Sequence, residues 1–189
     1  MKIYIAGASG QLGSFLKNKL KNKKNIIIFT KRYNLLNIKS YKYLKKIKPD
    51  VIINCSGLTD VNLCEFNYIK ALKLNQTIPD NLNNFCVSEK IFLIHISTDH
   101  IYDGKKNNKS KENQIKIRNN YAKSKLKGEA KINSKKFLIL RTNFFGHYKI
   151  KKGLLNWIQN SYRKNKKIKI FKNIYFSPLH ISSLVNILI

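Results

Sequence analysis

The stretch Lys2-Ile-Tyr-Ile-Ala-Gly7-Ala-Ser-Gly10-Gln-Leu-Gly13-Ser-Phe-Leu-Lys-Asn-Lys-Leu20 decides the fold. Lys2 to Ala6 reads as a short apolar strand, and Gln11 to Lys21 sets Leu12, Phe15, Leu16 and Leu20 at helical spacing. Between them Gly7, Gly10 and Gly13 use three of the chain's eight glycines. A dinucleotide-binding turn needs glycine where the chain reverses sharply, where backbone approaches a pyrophosphate, and where helix packs on strand. The alternative is a tight turn with no ligand. A strand directly before the glycines and a helix directly after favour the cofactor reading, with Gly7, Gly10, Gln11, Leu12 and Gly13 as its residues.

Outward from this unit the alternation continues. Asn25 to Thr30 is a second, almost wholly apolar strand, as parallel strands buried on both faces are. A helix around Ser40 to Ile47 and Pro49-Asp50 lead to a third strand, Val51 to Cys55. Asp60 to Ser88 reads as a long helix broken by Pro79. Ile91 to Ser97, Asn120 to Ile132 and Lys136 to Leu140 add strand, helix and strand. Leu154 to Tyr162 reads as helix, Lys167 to Phe171 as strand, and Ile181 to Ile189 as the start of an apolar helix. The expected architecture is an α/β, Rossmann-like doubly wound parallel sheet. Residues 1–146 form the dinucleotide-binding domain, and 147–189 a small, incomplete substrate lobe. The Lys- and Asn-rich run Lys105 to Asn120 reads as a mobile loop.

The end of the second strand distinguishes the dinucleotides, because a carboxylate there holds the adenosine ribose and repels a 2′-phosphate. Here stand Thr30, Lys31 and Arg32, with no acid nearby, so NADPH is favoured over NADH. Tyr121 and Lys125 have the YxxxK spacing that puts two side chains on one helical face. That spacing recurs at Tyr41/Lys45, Tyr102/Lys106, Tyr148/Lys152 and Tyr162/Lys166, as a lysine-rich chain produces by chance. Context selects Tyr121, which follows the strand ending Ser97-Thr98-Asp99 and opens the helix before the next strand.

Composition sets the outer bounds. With 189 residues, 43% hydrophobic, the chain is long enough to bury a core. No apolar run reaches the ~20 residues of a membrane span and no signal peptide precedes the first strand, so a soluble, cytoplasmic protein is expected. Cys55, Cys64 and Cys86 have neither metal spacing nor an even count, and read as buried thiols with no metal site. The 38 basic against 9 acidic residues give +29. Only four of them are arginine, and the lysines are spread along the chain. That pattern speaks against a dedicated nucleic-acid partner and suits anionic small molecules. His95, inside an apolar strand, reads as a satisfied core histidine.

Taken together, Gly7 to Gly13, Pro49 to Cys55, Thr59 with Val61 and Glu65, Leu74-Asn75, Ser97 to Gly104, Tyr121 to Glu129 and Leu140-Arg141-Thr142 resemble the extended short-chain dehydrogenase/reductases. Within these, the chain is most similar to the dTDP-4-dehydrorhamnose reductases. The resemblance implies that Gly10, Gln11 and Leu12 touch the pyrophosphate, Asn34 and Leu35 the adenine side, and Gly57, Leu58 and Thr59 the turn after the third strand. It makes Thr98, Tyr121 and Lys125 the catalytic set, and puts Asp99 and Phe144 against the sugar nucleotide. Phe144 stands where close relatives carry Trp, and Asn34 where Asp is common. The implied activity is NADPH-dependent reduction of the 4-keto group of a nucleotide-activated deoxysugar, as in dTDP-L-rhamnose formation. Lys125 is expected to lower the Tyr121 pKa. An epimerase or dehydratase of nucleotide sugars, or a non-catalytic dinucleotide-binding subunit, remain as alternatives. The last residues, Leu184-Val-Asn-Ile-Leu-Ile189, form an apolar run expected to lack its partner layer, which invites association between copies or instability. The expected protein is a shortened reductase, or one completed by another chain, that keeps cofactor binding and has poor substrate affinity.

Overall fold

The computed structural model describes residues 1–102, 115–146, 153–170, 172 and 177–189. Strands β1 (Lys2–Ala6), β2 (Ile27–Phe29), β3 (Val51–Asn54), β4 (Phe92–Thr98) and β5 (Phe137–Thr142) form one sheet of order β2-β1-β3-β4-β5, every pair parallel. Helices α1 (Gln11–Leu20), α2 (Tyr41–Ile47), α3 (Val61–Phe66), α4 (Tyr68–Leu72), α5 (Ile78–Glu89) and α6 (Asn120–Glu129) make the crossovers. Beyond β5 come the two-residue strand β6 (Phe144–Phe145), α7 (Leu154–Arg163), a second short strand β7 (Leu179–His180) paired with β6, and α8 (Ile181–Leu188).

The alternation of side chains along β1 explains the layering. Ile3 and Ile5 join Leu12, Leu16 and Leu20 of α1 on one face, whereas Tyr4 and Ala6 join Tyr41 and Leu44 of α2 and Leu82, Phe85 and Cys86 of α5 on the other. A sheet buried on both faces is the doubly wound, Rossmann-like arrangement that the strand–helix alternation predicts. The chain leaves β1 for β2 on one side and returns to β3 on the other, so a crevice opens at the carboxyl ends of β1 and β3.

Several local readings change. β2 is a three-residue edge strand with Ile27 exposed, not a strand covered on both faces. The helix expected from Asp60 to Ser88 breaks at Asn67, whose side chain caps α4 by accepting from the Lys70 N–H. It breaks again at a π-helical turn, Lys73–Thr77. That turn runs straight into α5, and Pro79, two residues on, has no N–H to donate back to it, so the interruption expected at Pro79 takes the form of this π-helical turn. Residues 167–170 form no strand, and Phe171 lies outside the described residues. Most of the Lys105–Asn120 run also lies outside them. Its end is pinned where Ile115 bridges Tyr102 and the Lys116 N–H donates to Ile101 O at 2.8 Å.

The carboxyl-terminal run also differs from expectation. Ile181, Leu184 and Val185 are buried in the α1 face of the sheet, so this half of α8 has its partner layer; Ile187 and Ile189 remain exposed.

Candidate active site

Parallel pairing brings the carboxyl ends of β1, β3, β4 and β5 to one edge, and with them Gly7, Cys55 to Thr59, Thr98-Asp99 and Asn143-Phe144. The glycine turn is built for close approach. Gly7 has φ +76°, and a Cβ there would lie 2.7 Å from the Cys55 carbonyl carbon. At Gly13 a Cβ would lie 2.3 Å from Gly7 O, so only glycine lets α1 pack this tightly on the turn. Gly10 caps α1 without a side-chain hydrogen bond. The first N–H groups of the helix, from Gln11, Leu12 and Gly13, therefore face the crevice as an anion-binding end. The Gln11 amide donates to Gly146 O at 2.8 Å, tying this mouth to the segment after β5.

Thr30, Lys31 and Arg32 follow β2 at the same edge, the last two exposed. Asn34 closes a local turn by accepting from the Leu36 N–H. Leu35 is a core residue whose carbonyl accepts from Tyr41 Oη and Asn81 Nδ2, each at 3.1 Å. Gly57, Leu58 and Thr59 turn away from β3, and this turn is held by a residue to which the sequence pattern assigns no role. Asn75, buried in the π-helical turn, accepts from the Leu58 N–H at 2.7 Å and donates to Leu58 O and to Ser124 Oγ, each at 2.9 Å. The signal was a polar residue inside an apolar helical pattern: a buried amide costs free energy unless its partners are supplied.

The same clasp positions α6. Gly128 meets the π-helical turn so closely that a Cβ would lie 2.0 Å from Asn75 O. At the helix start Asn119 accepts from the Ala122 N–H, and the Glu65 carboxylate takes the Asn120 N–H at 2.6 Å and its side-chain amide at 2.8 Å. At its end the buried Glu129 is paired with Arg141 of β5, 2.7 Å away, and accepts from Ser97 Oγ.

Tyr121 and Lys125 are thereby fixed on the buried side of α6. Tyr121 lies beside Thr98, with the His100 ring edge-on at 5.5 Å between centroids. Burial pushes the Tyr121 phenol above its ordinary pKa, the neighbouring Thr98 hydroxyl pulls it back, and Asp99 and Cys64 push it further up. Lys125 does not act as expected from spacing alone. Its ammonium donates to Ile96 O at 2.6 Å, and burial pulls its pKa down to about 8. Asp99 follows Thr98 with one oxygen, Oδ1, buried and without a hydrogen-bond partner. Phe144 lies half-buried on β6.

Among the described residues no cluster of three or more His, Cys, Asp or Glu could hold a metal, and no helix is long and apolar enough to cross a membrane. Cys64 and Cys86 are buried and Cys55 half-buried, all as free thiols. His95 is the core histidine expected, with Asn54 Nδ2 3.0 Å from Nδ1 and Lys125 Nζ 3.5 Å from Nε2.

The sequence profile described as RmlD substrate binding domain matches residues 1–189. The chain belongs to that family. Among RmlD-type relatives, the dTDP-4-dehydrorhamnose reductase of Aggregatibacter actinomycetemcomitans is 32% identical over 155 residues, covering 78% of this chain and 53% of that protein. The crystal structure of a dTDP-4-dehydrorhamnose reductase from Clostridium acetobutylicum superposes with a TM-score of 0.89 at 28% identity, over 100% of this chain and 69% of that one. The Bacillus anthracis reductase, solved in complex with NADP, shares the fold at 23% identity and a TM-score of 0.83, over 99% and 68% of the two chains. This RmlD-type chain thus spans about half the length of the curated relative and about two thirds of the solved ones.

Proposed function

We propose that this chain carries the cofactor site and acid–base residues of an NADPH-dependent reductase acting on the 4-keto group of a nucleotide-diphosphate deoxysugar. The observation that carries the reading is the convergence at one sheet edge of a glycine turn that opens a helix without a side-chain cap, of Thr98 at the end of β4 beside the buried Tyr121, and of Lys125 one helical turn further on. The residues fit the cofactor. Gly7 and Gly13 let the turn pack closely against β3 and α1, and the N–H groups that open α1 suit a pyrophosphate. Arg32 and Lys31, exposed beyond β2, suit a 2′-phosphate.

When bound, NADPH supplies a hydride to the carbonyl carbon. Tyr121 gives its proton to the carbonyl oxygen as general acid, and the high pKa that burial imposes keeps that proton on the phenol until the alkoxide forms. Thr98 orients the oxygen beside the phenol, and Lys125 reaches the nicotinamide ribose side of the crevice next to Gly57. The unpaired Asp99 Oδ1 is an acceptor suited to a sugar hydroxyl, with Phe144 as an apolar wall. Cationic surface speeds the approach of a dianionic diphosphate, an effect that salt weakens.

An epimerase or dehydratase would recycle its nicotinamide. Stoichiometric NADPH consumption with a panel of 4-keto nucleotide sugars tests the reading: one NADPH oxidised per 4-hydroxy sugar formed is expected. Turnover without net NADPH loss would point to the recycling enzymes instead.

A further inference from the structure

His95, fully buried in β4, has both ring nitrogens engaged: Asn54 Nδ2 lies 3.0 Å from Nδ1, and Lys125 Nζ lies 3.5 Å from Nε2. The far end of the Asn54 amide settles which way it points. Its Oδ1 accepts from the Ser56 N–H at 3.0 Å and from the Ser56 hydroxyl, so its NH2 group must face the imidazole. Nδ1 is therefore an acceptor. A neutral ring has one donor and one acceptor, which puts the ring proton on Nε2. Burial, reinforced by the Lys125 charge, pushes the His95 pKa well below its ordinary value and keeps the ring neutral. The Nε2–H thus points at Lys125 Nζ. An ammonium there opposes donor to donor, whereas a free amine offers its lone pair.

We propose that His95, held in its Nε2–H tautomer by Asn54 and Ser56, is a positioning residue that biases Lys125 toward the free amine. Lys125 is faced by Glu129 from its own helix, by Cys55 from the end of β3 and by His95 from β4, with Tyr121 one helical turn before it. Glu129 and Cys55 both push its pKa up, yet burial outweighs them and it falls to about 8. The Glu129 carboxylate is moreover committed to Arg141 and Ser97. A lysine that titrates this close to neutrality exchanges its proton beside Tyr121 with far less driving force than an ordinary ammonium requires. The importance of that exchange for turnover rests on the reductase reading; the titration itself does not.

The test is an NMR titration of the 13Cε lysine signals of the whole chain, with Lys125 assigned by the peak lost in Lys125→Arg. The unmodified protein is expected to show a Lys125 midpoint near about 8. In His95→Gln the amide can turn its oxygen to Nζ, so the midpoint should rise by roughly one pH unit, about tenfold less free amine at a given pH. Ser56→Ala removes one of the two donors that orient Asn54 and should raise the midpoint by less, which keeps the test decisive if His95→Gln does not fold. A rise in either variant supports the assignment. Unchanged or lower midpoints in every variant that folds, or an unmodified Lys125 near the ordinary ~10.4, overturn it. No nucleotide sugar enters this experiment, so the midpoints decide the role of His95 whether or not the protein reduces a keto sugar.

Discussion

Gly128→Ala places one methyl group where α6 meets the π-helical turn. The new Cβ would lie 2.0 Å from the Asn75 carbonyl oxygen, 3.2 Å from its carbon and 3.3 Å from Pro79 Cγ. The first two are backbone atoms that no rotamer change can move aside. A tolerable contact needs α6 to retreat by roughly 1 Å, and overpacking of this kind costs about 1–3 kcal/mol. Alanine returns about 1 kcal/mol in helix propensity, so the net loss is about 0–2 kcal/mol. The same retreat carries Tyr121 and Lys125 away from Thr98 and Ile96, and a displacement of ~1 Å at reacting groups lowers turnover up to ~100-fold. Urea unfolding should show a lower midpoint, NADPH oxidation a lower kcat, and the exposed Lys127→Ala on the same helix neither. Unchanged stability and turnover in Gly128→Ala would show that the contact with Asn75 does not fix the helix.

Tyr121→Phe should leave NADPH binding intact and lower turnover by roughly 10² or more, the scale of general acid catalysis, as read by steady-state kinetics. Tyr41→Phe shares the local spacing but should leave turnover alone and cost about 1 kcal/mol in urea unfolding, because the Tyr41 hydroxyl donates to Leu35 O. Arg32→Ala should erase most of the preference for NADPH over NADH in titration calorimetry; equal affinities in the unmodified protein would exclude the role. For Lys125, folding lowers the pKa from 10.5 to about 8, so between these values the unfolded chain binds the extra proton and stability rises with pH. Lys125→Met should accordingly gain most over the parent below pH 8 and lose that gain as the pH rises toward about 10.5, measured by denaturant midpoints across the range.

The parts of the fold legible in sequence were those with a strong period. β1, α1 and α6 stand almost where the spacing of Leu12, Phe15, Leu16 and Leu20 and of Tyr121 and Lys125 puts them. The glycine turn was legible because Gly7 and Gly13 answer to steric demands that no other residue meets. The breaks in the 60–89 segment were legible only in part: Pro79 marks the π-helical turn just before it, whereas the Asn67 cap leaves no gap in the apolar pattern. The edge position of β2 was hidden because Ile-Ile-Phe reads the same at an edge as in a centre. Site positions could be matched by order and spacing. The electrostatics could not: that Lys125 turns to Ile96 O, and that burial raises rather than lowers Tyr121, depends on contacts among β3, β4 and α6 that are far apart in sequence. The burial of Leu184 and Val185 against α1 likewise depends on a packing partner about 170 residues upstream in the chain.

The most direct measurement is NADPH oxidation by the purified protein and by Tyr121→Phe, with a dTDP-4-keto-6-deoxysugar as substrate and the sugar product quantified in parallel. Tyr121-dependent consumption of NADPH, matched one for one by a 4-hydroxy sugar, is the predicted result. Equal rates in the two proteins, or tight NADPH binding with no carbonyl reduction, would contradict it.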